Sequence, residues 1–237
     1  QKNFVSNAAH ELRTPLMTSA LRIEALSDPA LDPAQRQVYL DELREEMRHM
    51  ADLVESLLTI SRLEQGRWDS AESTCDGVAV LHDSAREWRH QAAQKGVRLE
   101  FPTVADVPDA AIPATDLRLI LDNVLGNAVK YTPEGSITVN VLVADGHLCF
   151  TVTDTGIGFT PDDGARLFER FFRADTVRHR FIPGTGLGLS VVQTIAQHWG
   201  GNIRAWSDGP GLGATVTVLI PAVRARASVP AVERVPA

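Results

Sequence analysis

Ser136-Ile-Thr-Val-Asn-Val-Leu-Val-Ala-Asp-Gly-His-Leu-Cys-Phe-Thr-Val-Thr-Asp154 decides the fold of the larger part of this chain. Ile137, Val139, Val141 and Val143 alternate with other residues, Asp145-Gly146 makes a tight turn, and Leu148, Phe150 and Val152 alternate on the return. That pattern predicts a β-hairpin with one buried face. On the two-residue period of a strand, Asp154 falls on the same side as Leu148, Phe150 and Val152, the core side. Upstream, the spacing predicts helices over Gly77–Gln94 and Thr115–Tyr131 with a strand, Val97–Phe101, between them. Downstream lies a long irregular segment from about Thr155 to Pro183. A helix over Leu187–Trp199 follows and stops at Gly200-Gly201. A closing hairpin carries Ile203 and Ala205 on one arm and Val216, Val218 and Ile220 on the other. Helices with an antiparallel-rich sheet predict a two-layer α+β sandwich.

The first 66 residues read differently. Val5, Ala8, Leu12, Leu16, Ser19, Ile23 and Leu26 recur at three- and four-residue steps, a single buried stripe on a helix from about Lys2 to Ser27. His10 lies off that stripe, and Thr14 sits over the same surface one turn on. Pro15 lacks an N–H and crowds the carbonyl of Glu11, which loosens the helix beside the histidine. Asp28 to Pro33 is a turn, with Asp32 as N-cap and Pro33 at the first position of a second helix reaching Gln65-Gly66. In that helix Leu43, Met47, Met50, Val54, Leu57 and Ser61 form a heptad-like seam, widened by Leu40, Leu53, Leu58 and Ile60. Two helices cannot enclose stripes this wide. A homodimer through residues 1–66, making a four-helix bundle, is the simplest remedy; packing against the rest of the same chain is the alternative. The expected organisation is therefore an all-α antiparallel hairpin over 1–66, a linker over 67–76, the α+β domain over 77–221 and a disordered tail over 222–237.

Composition bounds what such a chain can be. With 237 residues, 44% hydrophobic and 22% charged, it has the balance of a water-soluble globular protein. The net charge is −7, split as −4 over residues 1–66 and −3 over the remainder. Neither part is basic, which argues against nucleic acid as a partner. Cys75 and Cys149 make no metal-ligand or redox pattern. No apolar run approaches a membrane span. The chain opens on Gln1 with its first helix already under way, so it is expected to be a piece of a longer protein, and any membrane link would run through an upstream region.

Several constellations point to chemistry. Asn123, Asn127 and Lys130 stack at steps of four and three on one face of their helix, away from the apolar face of Leu117, Leu121, Val124, Leu125 and Ala128. Two amides and an ammonium in one column can hold hydrated Mg²⁺ and nucleotide phosphates, since Mg²⁺ takes oxygen ligands and keeps waters; a solvated helix face is the plainer reading of this segment alone. Asp154, ending a buried row, needs a donor. The exocyclic amine of adenine is one, whereas guanine would present a carbonyl. The alternative is an aspartate capping its own turn, which Gly156 and Gly158 keep close. Gly184-Thr185-Gly186-Leu187-Gly188 leads into a helix, where backbone N–H groups approach phosphates. A long loop rather than a strand precedes it, so it is not a dinucleotide-fold signature. Between these lie Leu167-Phe168-Glu169-Arg170-Phe171-Phe172-Arg173 and Arg178-His179-Arg180. Aromatic anchors among arginines predict a lid over phosphates, or else a solvated basic loop docked by its phenylalanines.

Taken in order, these segments resemble the sensor histidine kinases of two-component signalling, over about residues 2–221. His10-Glu-Leu-Arg-Thr-Pro-Leu16 is similar to that family's H box, Asn123 to Tyr131 to its N box, Asp154-Thr-Gly-Ile-Gly158 to its first glycine box, Phe168-Glu-Arg-Phe-Phe172 to its F box, and Gly184 to Gly188 to its second glycine box. The resemblance implies a dimerisation and phosphotransfer bundle followed by a Bergerat-type ATP-binding domain. It implies that His10 accepts the γ-phosphoryl group of ATP, with Glu11 orienting the imidazole and taking its proton. It further implies that Asn123 binds Mg²⁺ and that Asn127 and Lys130 contact phosphates. Tyr131 would pack near the adenine, Asp154 would accept from its amine, and Arg170 or Arg173 would reach the phosphates from the lid. The phosphoryl group would pass to an aspartate of a response regulator receiver domain. Thr14 resembles the position that holds a hydrolytic water in members that also dephosphorylate the regulator. The chain would be the cytoplasmic portion of a membrane-bound sensor.

Two other classes stand against this. ATP-driven clamps related to gyrase, heat-shock chaperone and mismatch-repair ATPases share the ATP fold. They carry a water-activating Glu four residues before the asparagine that precedes Ala. Here that position is Asn123, and those proteins lack the His10 helix. A dimeric scaffold without catalysis would not need the full set of polar residues.

Overall fold

Asp32 makes the first architectural break. Its carboxylate accepts from the backbone N–H groups of Ala34 and Gln35 at 3.0 and 3.1 Å, and Pro33 takes the first helical position, so α2 (Pro33–Glu64) starts where the turn after α1 (Lys2–Leu26) ends. Arg36 closes the turn, donating to the carbonyls of Leu26 and Asp28 at 2.7 and 3.0 Å. This computed structural model describes residues 2–65, 73–101, 107–174, 177, 182 and 184–223, and excludes the side chains of residues 2–5 and 64. The expected roles of Val5 in the α1 stripe, of residues 67–72 as linker, of Arg178, His179 and Arg180 in the lid, and of the tail beyond 223 therefore lie outside the described residues.

The hairpin pairs with a different register from the one its apolar residues predict. On α1 the covered row is Ala8, Leu12, Pro15, Ser19, Arg22 and Leu26, all buried or half-buried, at alternating steps of four and three. Leu16 and Ile23 of the expected stripe are 56% and 57% exposed. On α2 Leu53 and Ile60, expected at the margin of the seam, are fully buried, Glu46 and Ser61 are half-buried, and Met47 and Val54 are 47% and 44% exposed. Arg22 Nε donates to Glu42 at 2.8 Å and its Nη1 lies 3.7 Å from Glu46. That pair places charged side chains on the inner rows.

The second part is built on a six-stranded sheet in the order β1-β3-β4-β6-β2, with β5 also paired to β6. β1 (Arg98–Glu100) lies parallel to β3 (Ser136–Ala144), and β4 (His147–Asp154) returns antiparallel to it. β6 (Ala214–Val223) lies antiparallel along β4, and its far edge is shared by β5 (Asn202–Trp206) and β2 (Asp109–Ala110). The predicted hairpin forms in the predicted register, with Val139 opposite Val152 and Val141 opposite Phe150. Leu148, Phe150 and Val152 are buried to 0, 1 and 2% exposure, whereas Val143 at the hairpin end is 48% exposed. Two short elements depart from the reading. β2 is two residues long and pairs with the end of β6, which extends β6 two residues past the expected start of the tail. The segment read as irregular contains α5 (Pro161–Arg166), capped by Thr160, whose hydroxyl accepts from Asp163 N at 3.1 Å.

Helices α3 (Gly77–Gln94), α4 (Ala114–Tyr131) and α6 (Gly188–His198) cover one face of the sheet. Leu117, Ile120, Leu121 and Leu125 of α4 are fully buried. Asp76 caps α3, accepting from Val78 N and Ala79 N. Trp199, just after α6, donates to the buried Asp116 carboxylate of α4 at 2.8 Å. Leu53 and Ile60 of α2 join this same core and α2 packs against α6, so the hairpin does pack on the rest of its own chain, leaving Met47, Val54 and Leu58 bare.

Ser84 of α3 is fully buried, and its hydroxyl has no partner among the described residues. A buried hydroxyl without a hydrogen bond costs more than the methyl group that would replace it. Ser84→Ala is expected to raise stability by about 1 kcal/mol, read as a higher midpoint of urea unfolding at unchanged slope. A lower midpoint would show that the hydroxyl is bonded.

Candidate active site

The cleft is set by α4. Its apolar face is committed to the sheet, so helical spacing turns Asn123, Asn127 and Lys130 to the other side. There they line a cleft of about 1260 Å³ between α4, α2, the residues after β4 and the start of α6. Asn123 is pre-oriented: its Nδ2 donates to the Leu119 carbonyl at 2.8 Å, which fixes the amide and leaves Oδ1 as the free acceptor. A Cβ on Gly188 would come within 2.7 Å of that oxygen and within 3.9 Å of Asn127 Nδ2. A Cβ on Gly184 would collide with the Lys130 ammonium. The glycines therefore let the backbone pack directly against the Asn123 amide and the Lys130 ammonium, where a side chain would push them aside.

Lys130 is half-buried, over the Tyr131 ring at 5.1 Å. Burial first, then Arg173 and Lys95 nearby, push its ammonium down to about 8, and Asp52 pulls the other way. Tyr131 is pushed up by burial. α6 begins at Gly188 with no side-chain cap on its first turn, so its N-terminal amides remain available to an anion.

At the other end of the cleft Asp154 is 9% exposed. Its Oδ1 accepts from Gly156 N at 2.8 Å and Ala214 N at 3.2 Å, leaving Oδ2 without a protein donor among the described residues. Burial raises its pKa and the two amides oppose the rise. The turn is tied to α4 by Ile157 N–H donating to Tyr131 O at 3.0 Å. A Cβ on Gly156 would meet that carbonyl, so only glycine fits.

The cleft gathers Asn123, Asn127, Lys130, Tyr131, Asp154, Gly158, Arg173, Gly184, Thr185, Gly186 and Gly188. It does not gather the rest of the candidate set. Gly156 lies behind the turn, and Leu187 is fully buried in the core, so only its backbone could serve a ligand. Of the two lid arginines, Arg173 lines the cleft and Arg170 does not. Arg173 donates to the Ile182 carbonyl, and its buried Nε has no partner among the described residues. His10 and Thr14 are exposed and Glu11 is half-buried; none of the three lines the cleft. Sequence reasoning missed the cleft's other walls, Trp88 and Lys95 from the end of α3 and Arg48, His49 and Asp52 from α2.

Residues 1–66 match the His Kinase A (phospho-acceptor) domain family, and residues 113–224 match the histidine kinase-, DNA gyrase B- and HSP90-like ATPase family. The chain belongs to the sensor histidine kinases. It is 34% identical over 227 residues to the sensor-like histidine kinase SenX3 of Mycobacterium tuberculosis, a match covering 94% of this chain and 54% of that protein. It is 32% identical over 232 residues to the sensor histidine kinase WalK of Bacillus subtilis, covering 93% of this chain and 36% of that protein. The chain thus spans about half or less of these curated relatives. Among solved structures, full-length ShkA in complex with AMPPNP superposes with a TM-score of 0.68 at 29% identity, covering 94% of this chain and 47% of that one. The histidine kinase AdeS of Acinetobacter baumannii shares the fold, with a TM-score of 0.72 at 23% identity, over 90% of this chain and 98% of that one.

The ATP-binding domain fits its ligand on two observations. The Asn123 amide is oriented with its oxygen unused, and the buried Asp154 keeps an unused acceptor. The depressed Lys130 adds a pH dependence. Below about 8 the free kinase carries its ammonium charge for the polyphosphate; above, it loses it. Affinity for a non-hydrolysable ATP analogue is expected to weaken as pH rises from about 7 to about 9, and Lys130→Gln is expected to bind more weakly with a flatter profile. Calorimetric titration checks both, and a parent profile as flat as the variant's removes Lys130 from the phosphates.

Proposed function

We propose that this chain is the catalytic core of an ATP-dependent protein histidine kinase. It phosphorylates itself on His10 and passes the phosphoryl group to an aspartate of a response regulator receiver domain. The observation that carries the reading is the shared cleft: a column of two amides and an ammonium at one end, and a buried carboxylate with one free oxygen at the other. In this reading Asp154 accepts from the adenine amine and Tyr131 packs near the base. Asn127, Lys130, Arg173 and the uncapped start of α6 hold the phosphates, and Asn123 Oδ1 ligates Mg²⁺, which neutralises phosphate charge. Arg173 rather than Arg170 is the lid arginine, because it already lines the cleft beside Lys130. His10 is exposed on α1, where a separate body can reach its ring, and Glu11 follows it directly.

The transfer step balances without a covalent enzyme–nucleotide bond. A ring nitrogen of His10 attacks the γ-phosphorus, the bond to the β–γ bridging oxygen breaks, ADP leaves, and the ring proton passes to Glu11. The bare apolar surface of the hairpin, with Leu16, Leu21, Ile23, Val54 and Leu58 all 44% exposed or more, supports a homodimer through residues 1–66. The same divisions of the chain serve these roles: phosphotransfer over 1–66, ATP binding over 77–221.

Incubation with Mg²⁺-ATP is expected to give an acid-labile, base-stable phosphate that maps to His10 and is absent from His10→Gln. Retention of the same label in that variant would falsify the assignment of the acceptor. Asp154→Asn replaces the free acceptor with an amide that presents a donor to the adenine amine in one orientation. It is expected to weaken ATP binding by about 1.5–3 kcal/mol, roughly ten- to a hundredfold. Unchanged affinity in a fluorescence titration removes Asp154 from the base site.

A further inference from the structure

Val129 of α4 carries a carbonyl that its own helix cannot satisfy. Four residues on, where a helical N–H would donate to it, stands Pro133, which has none. The neighbouring carbonyls are served by backbone: Ala128 O takes the N–H of Thr132 at 3.1 Å, and Tyr131 O that of Ile157 at 3.0 Å. Val129 O instead takes the ammonium of Lys95 at 3.1 Å, reaching across from the end of α3. Backbone geometry puts Lys95 there. It is the C-cap of α3, where Gly96 at φ 74° turns the chain and the N–H groups of Gly96 and Val97 donate back to Ala93 O and Ala92 O at 3.0 and 2.9 Å. A cation at the carbonyl end of α4 also meets the negative end of that helix dipole. Lys95 lines the cleft together with Lys130 and Tyr131, which belong to the turn it closes.

We propose that Lys95 is a positioning residue of the nucleotide site, resting on the reading of this cleft as the ATP site. Its ammonium supplies the hydrogen bond that Pro133 denies to α4, and so holds the last turn, with Lys130 on it, in place for the polyphosphate. One of its three donors is used on Val129, and its charge adds to that of Lys130 along the wall. The two roles of that ammonium leave different traces. The hydrogen bond orders the turn. The charge acts on Lys130 itself: after burial, Arg173 of the lid and then Lys95 disfavour its protonated form, and Asp52 of α2 favours it. Glu45, Arg48, His49 and Glu55 of α2, Asp122 of α4 and Asp154 of β4 are the other ionisable groups on the cleft walls, with the Tyr131 ring beneath the ammonium. Losing the Lys95 charge therefore raises the pH at which Lys130 gives up its proton.

The test titrates the full chain and three variants with Mg²⁺ and a non-hydrolysable ATP analogue across pH. Lys95→Met keeps the length of the side chain and removes both donor and charge. It is expected to bind about three- to tenfold more weakly at pH 7, and the pH at which affinity falls is expected to move above the parent's. Lys95→Arg keeps donor and charge, and is expected to restore the parent affinity and the parent profile. Arg98→Gln removes a nearby cation that sits exposed beside Glu100 and lines no part of the cleft, and is expected to change neither. Lys95→Met that binds as the parent does at pH 7, or that weakens without a shift in its profile, overturns the role. So does Lys95→Arg that behaves like Lys95→Met, or Arg98→Gln that moves the profile as far. Each of these results leaves the ATP site standing. A parent chain that binds no nucleotide overturns the reading of the cleft, one whose affinity is flat in pH overturns the contact of Lys130 with phosphate, and either takes the role of Lys95 with it.

Discussion

α4 must face two environments at once, and the rest of the molecule follows from how its spacing divides them. Leu117, Ile120, Leu121 and Leu125 have no exposure at all, so the rotation of the helix on the sheet is fixed by burial worth about 1.5–3 kcal/mol for each such side chain. With the rotation fixed, Asn123, Asn127 and Lys130 have no choice of direction. Rigidity is transmitted further by polar ties: Trp199 to Asp116 at 2.8 Å, and Trp88 to Asp122 at 3.1 Å. Gly126 is part of the same arrangement, because a Cβ there would come within 2.9 Å of the Trp88 ring. A polar column mounted on a helix locked this way is preorganised, which spares a bound polyphosphate the cost of ordering its own partners.

The end of α4 governs the other half of the site through backbone alone. Tyr131 O takes the N–H of Ile157, Gly156 O takes that of Gly213, and Ile157 O takes that of Gly211. Three chain segments thus converge around Asp154 with no room for side chains between them. Lid geometry obeys a similar constraint. Phe171 adopts φ 64°, a region that costs a bulky residue energy, and its N–H donates to Gly186 O at 2.9 Å. A Cβ on Gly186 would meet the Phe171 carbonyl carbon and Phe172 O at 2.7 Å. The two ends of the lid are therefore clasped, with Arg173 held just inside the clasp.

Local chemistry made much of this legible in the sequence. The alternation from Ile137 to Val152, the Asp145-Gly146 turn, the Asp32 cap and the column on α4 are each decided within one element, by periods that burial enforces. What was not legible depended on other elements. On α2, Met47 and Val54 stay exposed while Leu53 and Ile60 at the margin of the seam are fully buried, because those two join the core of the sheet-bearing part. β2 is too short to carry a period of its own and exists because the end of β6 offers an open edge. Arg170 and Arg173 are chemically equivalent in sequence; only the packed lid separates them. The wall that α2 contributes could not be read at all, since its polar side looks like an ordinary solvated helix face until Leu53 and Ile60 are seen to dock.

That wall bears on how such a kinase must move. Phosphoryl transfer requires the attacking nitrogen about 3–3.5 Å from phosphorus, in line with the leaving oxygen. In the docked arrangement His10 lines no part of the cleft, so on the proposed reading transfer to His10 requires another arrangement of the two parts. Leu53 and Ile60 make the apolar centre of the docked interface, and α2 turns charged side chains toward the cleft. Pro15 bears on the same motion from the other side. It removes a backbone hydrogen bond one turn after His10 while being itself buried on α1, so the helix can yield there without losing its place in the hairpin.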